Sequence, residues 1–269
     1  MCATCGCGDD GAVITLAGHQ RQPAHHHDHD HDHPPTETIS LEQKVLHKND
    51  LLAEQNRQWL ADRHVLALNI TSSPGAGKTT LLERTIRELR ADLPVAVIEG
   101  DQETLLDAER IRTAGARAVQ VNTGAGCHLD ADMVHRALHA LDPAPDSLLF
   151  IENVGNLVCP ALFDLGERTK VVVISVTEGA DKPLKYPHMF AAAGLVVVNK
   201  IDLLPYVDFD LERCTGYARS INPGVNILSL SATTGEGVAA WYDWIRSQSK
   251  ASANQGLSPD AVDKTNPRE

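Results

Sequence analysis

The sequence predicts an α/β fold in which a mostly parallel sheet carries helices on both faces. Short apolar runs alternate with helical patterns from about residue 65 to residue 247, as expected for strands joined by crossover helices. A glycine-rich loop follows the first of these runs and leads directly into a helical segment. The apolar fraction of 42% in 269 residues is enough for one core. We therefore expect one α/β domain over residues 39–248.

The two ends of the chain have compositions that are typical of disorder. Residues 1–38 combine a cysteine run, a Gly/Ala-rich stretch, a His/Asp tract and two prolines, which predicts a flexible metal-binding segment. Residues 249–269 are rich in Ser, Asn, Asp and Pro and predict a disordered tail. A helical pattern begins at Ser40, for which we expect an N-cap role with Gln43 completing a capping box. This helix should pack on the main domain.

Seven largely apolar runs predict the strands of the sheet. Their short length and apolar character fit parallel strands that are covered on both faces. In chain order the predicted strands are Val65–Ile70, Val95–Glu99, Ala118–Asn122, Leu148–Asn153, Val171–Val176, Val196–Asn199 and Ile227–Leu230.

Charge and cysteine content restrict the function classes. The net charge of −12 argues against a surface for nucleic acid or anionic membrane. No apolar run reaches the roughly 20 residues that span a bilayer, and the N-terminus lacks the pattern of a signal peptide. Six cysteines in a chain of this size do not resemble a disulfide framework. We expect a cytoplasmic protein with reduced thiols.

The loop Ser72–Thr80 has the pattern of a phosphate-binding loop. Its backbone N–H groups and the N-terminus of the next helix can surround a polyphosphate. Lys78 would reach the β and γ oxygens, and the Thr79 hydroxyl would ligate Mg²⁺. Ser72 replaces the first glycine of the consensus, a position that serves the turn. The loop predicts a P-loop NTPase whose nucleotide-binding residues are Gly75, Ala76, Gly77, Lys78, Thr79 and Thr80.

Two later motifs favour a guanine nucleotide over an adenine nucleotide. Asn199, Lys200 and Asp202 lie at the end of a predicted strand, where the Asp202 carboxylate can accept both N1–H and the exocyclic amino group of guanine. Asn199 would support the other edge of the base, and the Lys200 stem would cover the ring or ribose. Ser231 and Ala232 follow the last predicted strand, and we expect the Ala232 N–H to donate to guanine O6.

Acidic residues end two further strands. Asp101 lies at the carboxyl end of the second predicted strand, just after Glu99, and can reach Mg²⁺ directly or through water. Glu152 lies at the carboxyl end of the fourth, with Gly155 close behind, where a switch that senses the nucleotide would lie. Solvated acidic residues at strand ends are the alternative explanation for both. We assign Lys78, Asp101 and Glu152 to catalysis.

The amino-terminal residues Cys2, Cys5 and Cys7 place three thiols within six positions. Because no core is expected there, these thiols are candidates for one soft or borderline ion. If Met1 is removed, the amine of Cys2 adds a nitrogen ligand. One nitrogen and three sulfurs suit square-planar Ni²⁺, whereas tetrahedral sets suit Zn²⁺.

Two more groups of residues have metal-ligand chemistry. The His/Asp tract predicts a store of weak sites at His25, His26, His27, His29, His31 and His33. Cys127 and His128 follow a glycine-rich turn, and Cys159 follows the predicted switch. Spacing alone leaves two explanations for these cysteines, inert small residues or a metal site beside the nucleotide.

The combination of the amino-terminal Cys-x-x-Cys-Gly-Cys, the histidine-rich insert and the Ser-Pro-Gly-Ala-Gly-Lys-Thr loop resembles the HypB family, the nickel-incorporation GTPases of hydrogenase maturation. The resemblance covers residues 1–8, the insert, and roughly residues 41–247. It implies a high-affinity nickel site at Cys2, Cys5 and Cys7, and a weaker nickel or zinc site at Cys127, His128 and Cys159. It further implies a homodimer that forms around nucleotide, with metal ligands from both protomers. The implied partners are a nickel-binding hydrogenase accessory protein and the [NiFe]-hydrogenase large subunit.

The expected function is therefore a GTP-hydrolysing nickel metallochaperone, with GTP or GDP, Mg²⁺, Ni²⁺ and Zn²⁺ as ligands. No Gln or Arg stands out as a water-positioning group, so slow intrinsic hydrolysis is expected. A nickel-storage protein would explain the histidine tract but not the guanine motifs. A P-loop kinase of a small molecule usually requires adenine specificity, which the same motifs oppose.

Overall fold

The structure is a computed structural model, and it describes residues 36–101, 106–124 and 126–255. Every predicted strand is present within this part of the chain, with ends displaced by up to a few residues. The strands are β1 Leu66–Ser72, β2 Val95–Asp101, β3 Arg117–Asn122, β4 Leu148–Glu152, β5 Thr169–Ser175, β6 Ala193–Asn199 and β7 Asn226–Ser229.

All neighbouring strands pair in parallel, in the order β3-β2-β4-β1-β5-β6-β7. The predicted class, a P-loop α/β fold with a parallel sheet, is confirmed. Because all the strands run the same way, their carboxyl ends meet at one edge of the sheet. Ile70 lies beside Glu152 across β1 and β4, and Ser175 lies beside Asn199 across β5 and β6. Ligands of open α/β sheets bind at this edge.

Eight α-helices and two short 3₁₀ helices are found in the described residues. The α-helices are α1 Thr36–Asp62, α2 Lys78–Leu89, α3 Leu106–Ala114, α4 Ala131–Leu141, α5 Lys182–Lys185, α6 Pro187–Ala192, α7 Leu211–Ile221 and α8 Val238–Gln255. The 3₁₀ helices are Cys159–Ala161 and Ile201–Tyr206. None of the helices described is both long and apolar enough to cross a membrane.

The ends of two helices differ from the sequence-based expectation. Because α1 begins at Thr36, Ser40 lies inside the helix, and its predicted N-cap role is wrong. Neither glycine nor proline lies between Thr36 and Ser40, so nothing stops the helix from extending back to the preceding prolines. At the other end, α8 continues to Gln255, into the segment where the tail was expected.

The sheet is buried on both faces, which explains the apolar strand sequences. Along β1, Leu66 and Leu68 pack in a hydrophobic cluster with α2 and α8. Ala67, between them, belongs to a second cluster with Leu60 of α1 and Val134 of α4. Successive side chains of a strand point to opposite faces, so a strand between two helical layers has apolar residues at every position.

Candidate nucleotide and metal sites

A cavity of about 550 Å³ opens at the carboxyl edge of the sheet, above β1 and the start of α2. The phosphate-binding loop and the ends of β2 and β4 form its walls, and α3 and the loop after β6 complete it. The lining residues are Pro74, Gly75, Gly77, Lys78, Thr79, Thr80, Glu99, Gly100, Arg110, Glu152, Asn153, Val154, Gly155 and Lys200.

Gly77 lets the loop turn into α2. It is the N-cap residue of that helix and has a φ of 95°, a conformation that a side chain disfavours. A Cβ at this position would also lie 2.5 Å from Nδ2 of Asn199. The glycine is therefore required by both backbone conformation and the close approach of the Asn199 side chain.

Ser72, the departure from the loop consensus, contacts the loop lysine. Lys78 Nζ donates a hydrogen bond of 2.9 Å to Ser72 Oγ. Ser72 is fully buried at the end of β1, and its hydroxyl donates to the Ser73 carbonyl. The serine therefore orients the lysine along the wall of the cavity, a role that the sequence analysis did not identify.

Oxygen ligands for a hard cation meet where α2 begins. Thr79 Oγ1 donates a hydrogen bond of 2.8 Å to Glu152 Oε1, and both residues line the cavity. Glu99 on β2 pairs with Glu152 on β4, so two buried carboxylates lie side by side near the carboxyl ends of neighbouring strands. This donor set fits Mg²⁺, which prefers oxygen ligands. The backbone of Asp101 ends β2, but its side chain lies outside the part of the structure that is described.

Asn199 connects the phosphate-binding loop to the loop after β7. Its buried amide donates a 2.8 Å hydrogen bond to the Ala76 carbonyl. Its Oδ1 accepts hydrogen bonds from Lys200 N at 2.8 Å and from Ala232 N at 3.0 Å. The Ala232 N–H that was expected to face guanine O6 thus donates to Asn199. The sequence motif could not reveal this contact, because its partners are distant in the chain.

Lys200 and Asp202 lie beside the same loop. Lys200 has a positive φ of 64°, and its Nζ donates to the Gly75 carbonyl at 2.7 Å. This contact places its aliphatic stem along the cavity. Asp202 Oδ1 is buried and has no hydrogen-bond partner among the described residues. A buried acceptor without a donor is costly, so a ligand that supplies N–H groups fits this position. Ser231 closes the neighbouring turn by accepting from Thr234 N at 3.0 Å.

The residues Cys127, His128 and Cys159 form a cluster of possible metal ligands. Their ligand atoms all lie within 4.8 Å of one another, and each residue is half-buried. The sulfurs of Cys127 and Cys159 are 3.0 Å apart, and Cys127 Sγ lies 3.7 Å from His128 Nδ1. Burial lowers the pKa of His128, although Asp130 acts in the opposite direction. Two thiols and a neutral imidazole suit borderline ions such as Ni²⁺ or Zn²⁺.

One segment, residues 152–159, touches both sites. Glu152 contacts Thr79, and Gly155 packs so closely on Pro74 that a Cβ would lie 3.2 Å from the Pro74 Cα. Asn153 Oδ1 accepts from Leu129 N at 3.1 Å, next to His128. Asn156 Nδ2 donates to the Cys127 carbonyl at 3.2 Å. We call this the linking segment; it joins the phosphate-binding loop to the metal cluster.

Arg110 is a second residue that the sequence analysis missed. It lies on α3, lines the cavity and contacts Glu83 of α2 at 3.1 Å. Its Nη2 is also 3.5 Å from Thr80 Oγ1. No motif marks this position, because the arginine reaches the cavity from a helix that follows a different strand.

The predicted metal ligands of the amino-terminal segment lie outside the described residues. They are Cys2, Cys5 and Cys7 and the tract residues His25, His26, His27, His29, His31 and His33.

Comparison with known proteins identifies first the class of domain. Residues 66–229 match the family model described as the CobW/HypB/UreG nucleotide-binding domain. The matched region begins with β1 and ends with β7, so it includes the loops that line the cavity.

The similar proteins then identify the family. The hydrogenase maturation factor HypB of Escherichia coli K12 is 58% identical over 210 residues, which cover 78% of this chain and 72% of that protein. The crystal structure of HypB from Archaeoglobus fulgidus is 41% identical with a TM-score of 0.71, covering 76% of this chain and 99% of that one. HypB from Helicobacter pylori, in a crystal structure with nickel, is 33% identical with a TM-score of 0.71, covering 80% and 100% of the two chains. The chain belongs to the HypB family of hydrogenase maturation factors.

Proposed function

We propose that this protein is a GTP-hydrolysing nickel metallochaperone, which delivers Ni²⁺ during the maturation of [NiFe]-hydrogenase and releases it in response to GTP hydrolysis. The observation that carries the proposal is the linking segment, which contacts Thr79 at one end and has Cys159 at the other. A nucleotide that changes the position of Glu152 thereby acts on a metal ligand seven positions along the same segment.

Guanine selectivity is assigned to Asp202. The buried Oδ1 of this carboxylate has no hydrogen-bond partner among the described residues, and guanine offers two N–H groups at that edge. Adenine offers neither, so binding it would leave the acceptor unsatisfied. Asn199, Lys200 and Ala232 support the base indirectly, by holding their two loops against the phosphate-binding loop. Ser231 is proposed to shape the turn beside Ala232.

Hydrolysis is assigned to Lys78, Glu152 and Asp101. The Lys78 ammonium stabilises negative charge on the β and γ phosphates, which increases in the transition state. Thr79 and Asp101 are the proposed Mg²⁺ ligands, with Glu152 bonded to the Thr79 hydroxyl. When bound, Mg²⁺ supplies further charge stabilisation at the phosphates. We expect slow turnover because Arg110, which lines the cavity, is held by Glu83.

Coupled release requires that the geometry of the site at Cys127, His128 and Cys159 change with the bound nucleotide. Contacts to the γ-phosphate fix the linking segment, and their loss on hydrolysis lets Glu152 and Gly155 move. Asn153 and Asn156 transmit the movement to the loop that bears Cys127 and His128. A change in sulfur–sulfur distance alters nickel affinity, and a coupling of typical size changes it about 5- to 150-fold.

The amino-terminal segment is proposed to supply the nickel. Cys2, Cys5 and Cys7 would hold one ion tightly, while the histidine tract stores further ions weakly. The site at Cys127, His128 and Cys159 would then present Ni²⁺ or Zn²⁺ for transfer. The proposed partners are a nickel-binding hydrogenase accessory protein, the hydrogenase large subunit and, in the GTP-bound state, a second copy of this chain. The proposed compartment is the cytoplasm.

The deciding experiment measures nickel affinity in the apo, GDP-bound and GTP-analogue-bound states. The full-length protein with Cys2, Cys5 and Cys7 replaced by serine isolates the internal site. The matched control adds Cys127→Ser and reports the nickel that binds elsewhere, including the histidine tract. We expect affinities that differ by at least about fivefold between the GDP and GTP-analogue states. Equal affinities in all three states would refute coupled release.

A further inference from the structure

A pair of histidines on α4 lies outside both sites described above. His135 and His139 are four positions apart, so they occupy the same face of the helix. Their ring centroids are 4.6 Å apart, with an angle of 77° between the ring planes. His135 is half-buried between α4 and α1, whereas His139 is exposed.

A buried asparagine fixes the orientation of the His135 ring. Asn56 of α1 donates both of its amide hydrogens, to the Ala131 carbonyl at 2.9 Å and the Leu165 carbonyl at 3.1 Å. Its Oδ1 must therefore be the acceptor in the 2.9 Å contact with His135 Nδ1. Nδ1 carries the proton, so Nε2 of the neutral ring has the free lone pair. A histidine held this way by a carbonyl oxygen is oriented like the histidines of metal sites.

We propose that His135 and His139 form a further, surface-accessible site for Ni²⁺ or a related borderline divalent cation. Two histidines at i and i+4 on one helix face can bind a single ion. Two imidazole nitrogens at about 2.0–2.1 Å from one ion in cis positions put the ring centres about 4–5 Å apart, which matches the observed separation. The exposed His139 can rotate to complete the pair, and water fills the remaining positions.

The neighbouring cations do not oppose this site strongly, because each is already paired. Arg136 pairs with Asp132 at 3.0 Å. Arg63 lies 4.2 Å from the centre of the Trp59 ring and bonds Asp142 at 2.7 Å. Two imidazoles without thiolates bind nickel more weakly than a thiolate site does and exchange it faster.

The site lies close in the fold to the cluster at Cys127, His128 and Cys159. Asn56 donates to the carbonyl of Ala131, just after the loop that bears Cys127 and His128, and to the carbonyl of Leu165, two positions after Phe163. The ring of Phe163 contacts the ring of His128, with centroids 4.0 Å apart. His135 and His139 are thus suited to capture nickel close to the cluster at Cys127, His128 and Cys159 without being part of it.

The test measures modification of each histidine by diethyl pyrocarbonate, read by mass spectrometry, in the full-length protein with and without Ni²⁺. We expect Ni²⁺ to slow modification of His135 and His139 severalfold and to leave His188, an exposed histidine of α6, unchanged. In H139A, a change at an exposed position, the protection of His135 should disappear. His47→Ala, at another exposed position on α1, is the matched control and should leave the protection intact.

Two results would overturn the proposal. One is equal modification of His135 and His139 with and without Ni²⁺. The other is protection of His135 that persists in H139A, because the two rings would then not share an ion. Neither result depends on nucleotide, so the GTPase and the site at Cys127 can be measured independently in the same variants.

Discussion

The side-chain amide of Asn156 donates a hydrogen bond of 3.2 Å to the backbone carbonyl of Cys127. The two residues are 29 positions apart in the chain, and their hydrogen bond joins the linking segment to the loop that bears Cys127 and His128. Because Asn156 Oδ1 also accepts from Val158 N at 2.9 Å, the same side chain orders the backbone that leads to Cys159. Asn156 therefore touches both cysteine-bearing segments without being a metal ligand.

Asn156→Ala should make nickel affinity nearly independent of the bound nucleotide. The substitution removes two hydrogen bonds of about 1 kcal/mol each, so the loops lose their fixed relation while the ligands remain. We expect GTP hydrolysis to stay within about twofold, and the difference in nickel affinity between the GDP and GTP-analogue states to fall below about threefold. Asn222→Ala, which removes similar bonds to Phe190, Ala191 and Ala193, is the control. A full nucleotide effect in Asn156→Ala would contradict the assigned role.

Lys78→Ala should abolish measurable GTP hydrolysis. The variant loses the ammonium that is bonded to Ser72 and points along the cavity wall, and with it the charge that stabilises the transferred phosphoryl group. Phosphate release is the measurement, and Lys44→Ala, at an exposed position on α1, is the control. Nickel binding at Cys2, Cys5 and Cys7 should be unchanged, because these residues lie far from the loop in the sequence. Loss of this tight binding would show that the two functions depend on each other.

Asp202→Asn should shift base preference from GTP toward xanthosine triphosphate. The new amide donates a hydrogen bond to the C2 oxygen of xanthine, whereas it cannot accept from both N–H groups of guanine. A competition assay with the two nucleotides should show at least about a tenfold change in preference, which corresponds to 1.4 kcal/mol. Asp208→Asn, at an exposed position just after the 3₁₀ helix that contains Asp202, should leave the preference as it is. Unchanged preference in Asp202→Asn would remove this residue from the base site.

The three cysteines of the described domain should differ in reactivity with iodoacetamide. Burial, together with Asp181 and Asp210, raises the pKa of Cys214 from 9.0 to about 11. The thiolate is the reactive form, so Cys214 should react only slowly until the pH approaches 11. Cys127 and Cys159, which are half-buried in a loop and a 3₁₀ helix, should react faster at pH 8 and be protected by Ni²⁺.

The raised pKa of Cys214 also predicts the direction in which folding stability changes with pH. Between pH 9 and about 11 the unfolded chain ionises Cys214 while the folded chain does not, so this thiol makes the protein less stable as the pH rises through that interval. Cys214→Ser removes this contribution, and its denaturation curves should lose less stability over the same interval than those of the unchanged protein. Rapid alkylation of Cys214 at pH 8 in the native state would contradict its burial.

Local pattern was enough to predict several features of the site. The seven strands follow from apolar runs, because a strand covered on both faces needs apolar side chains at every position. The phosphate-binding loop was evident from Gly75, Gly77 and Lys78 between a strand and a helix, since its geometry depends on consecutive residues. The prediction that α1 begins at Ser40 was wrong, because the N-cap preference of serine is weak where the preceding residues also permit a helix.

The sequence by itself determined the α/β class, the phosphate-binding loop and the residue types suited to guanine and to a borderline metal ion, because each depends on neighbours along the chain. Only the tertiary structure decided which of these groups meet. It brings Cys127 and Cys159, 32 positions apart, to 3.0 Å, and it places Arg110 in the cavity wall. It also shows that Asn199 and Ala232 bond each other. These contacts depend on the order of the strands in the sheet, where β3, β2 and β4 are neighbours at one side and β6 and β7 at the other. No local spacing specifies such a relation between distant segments.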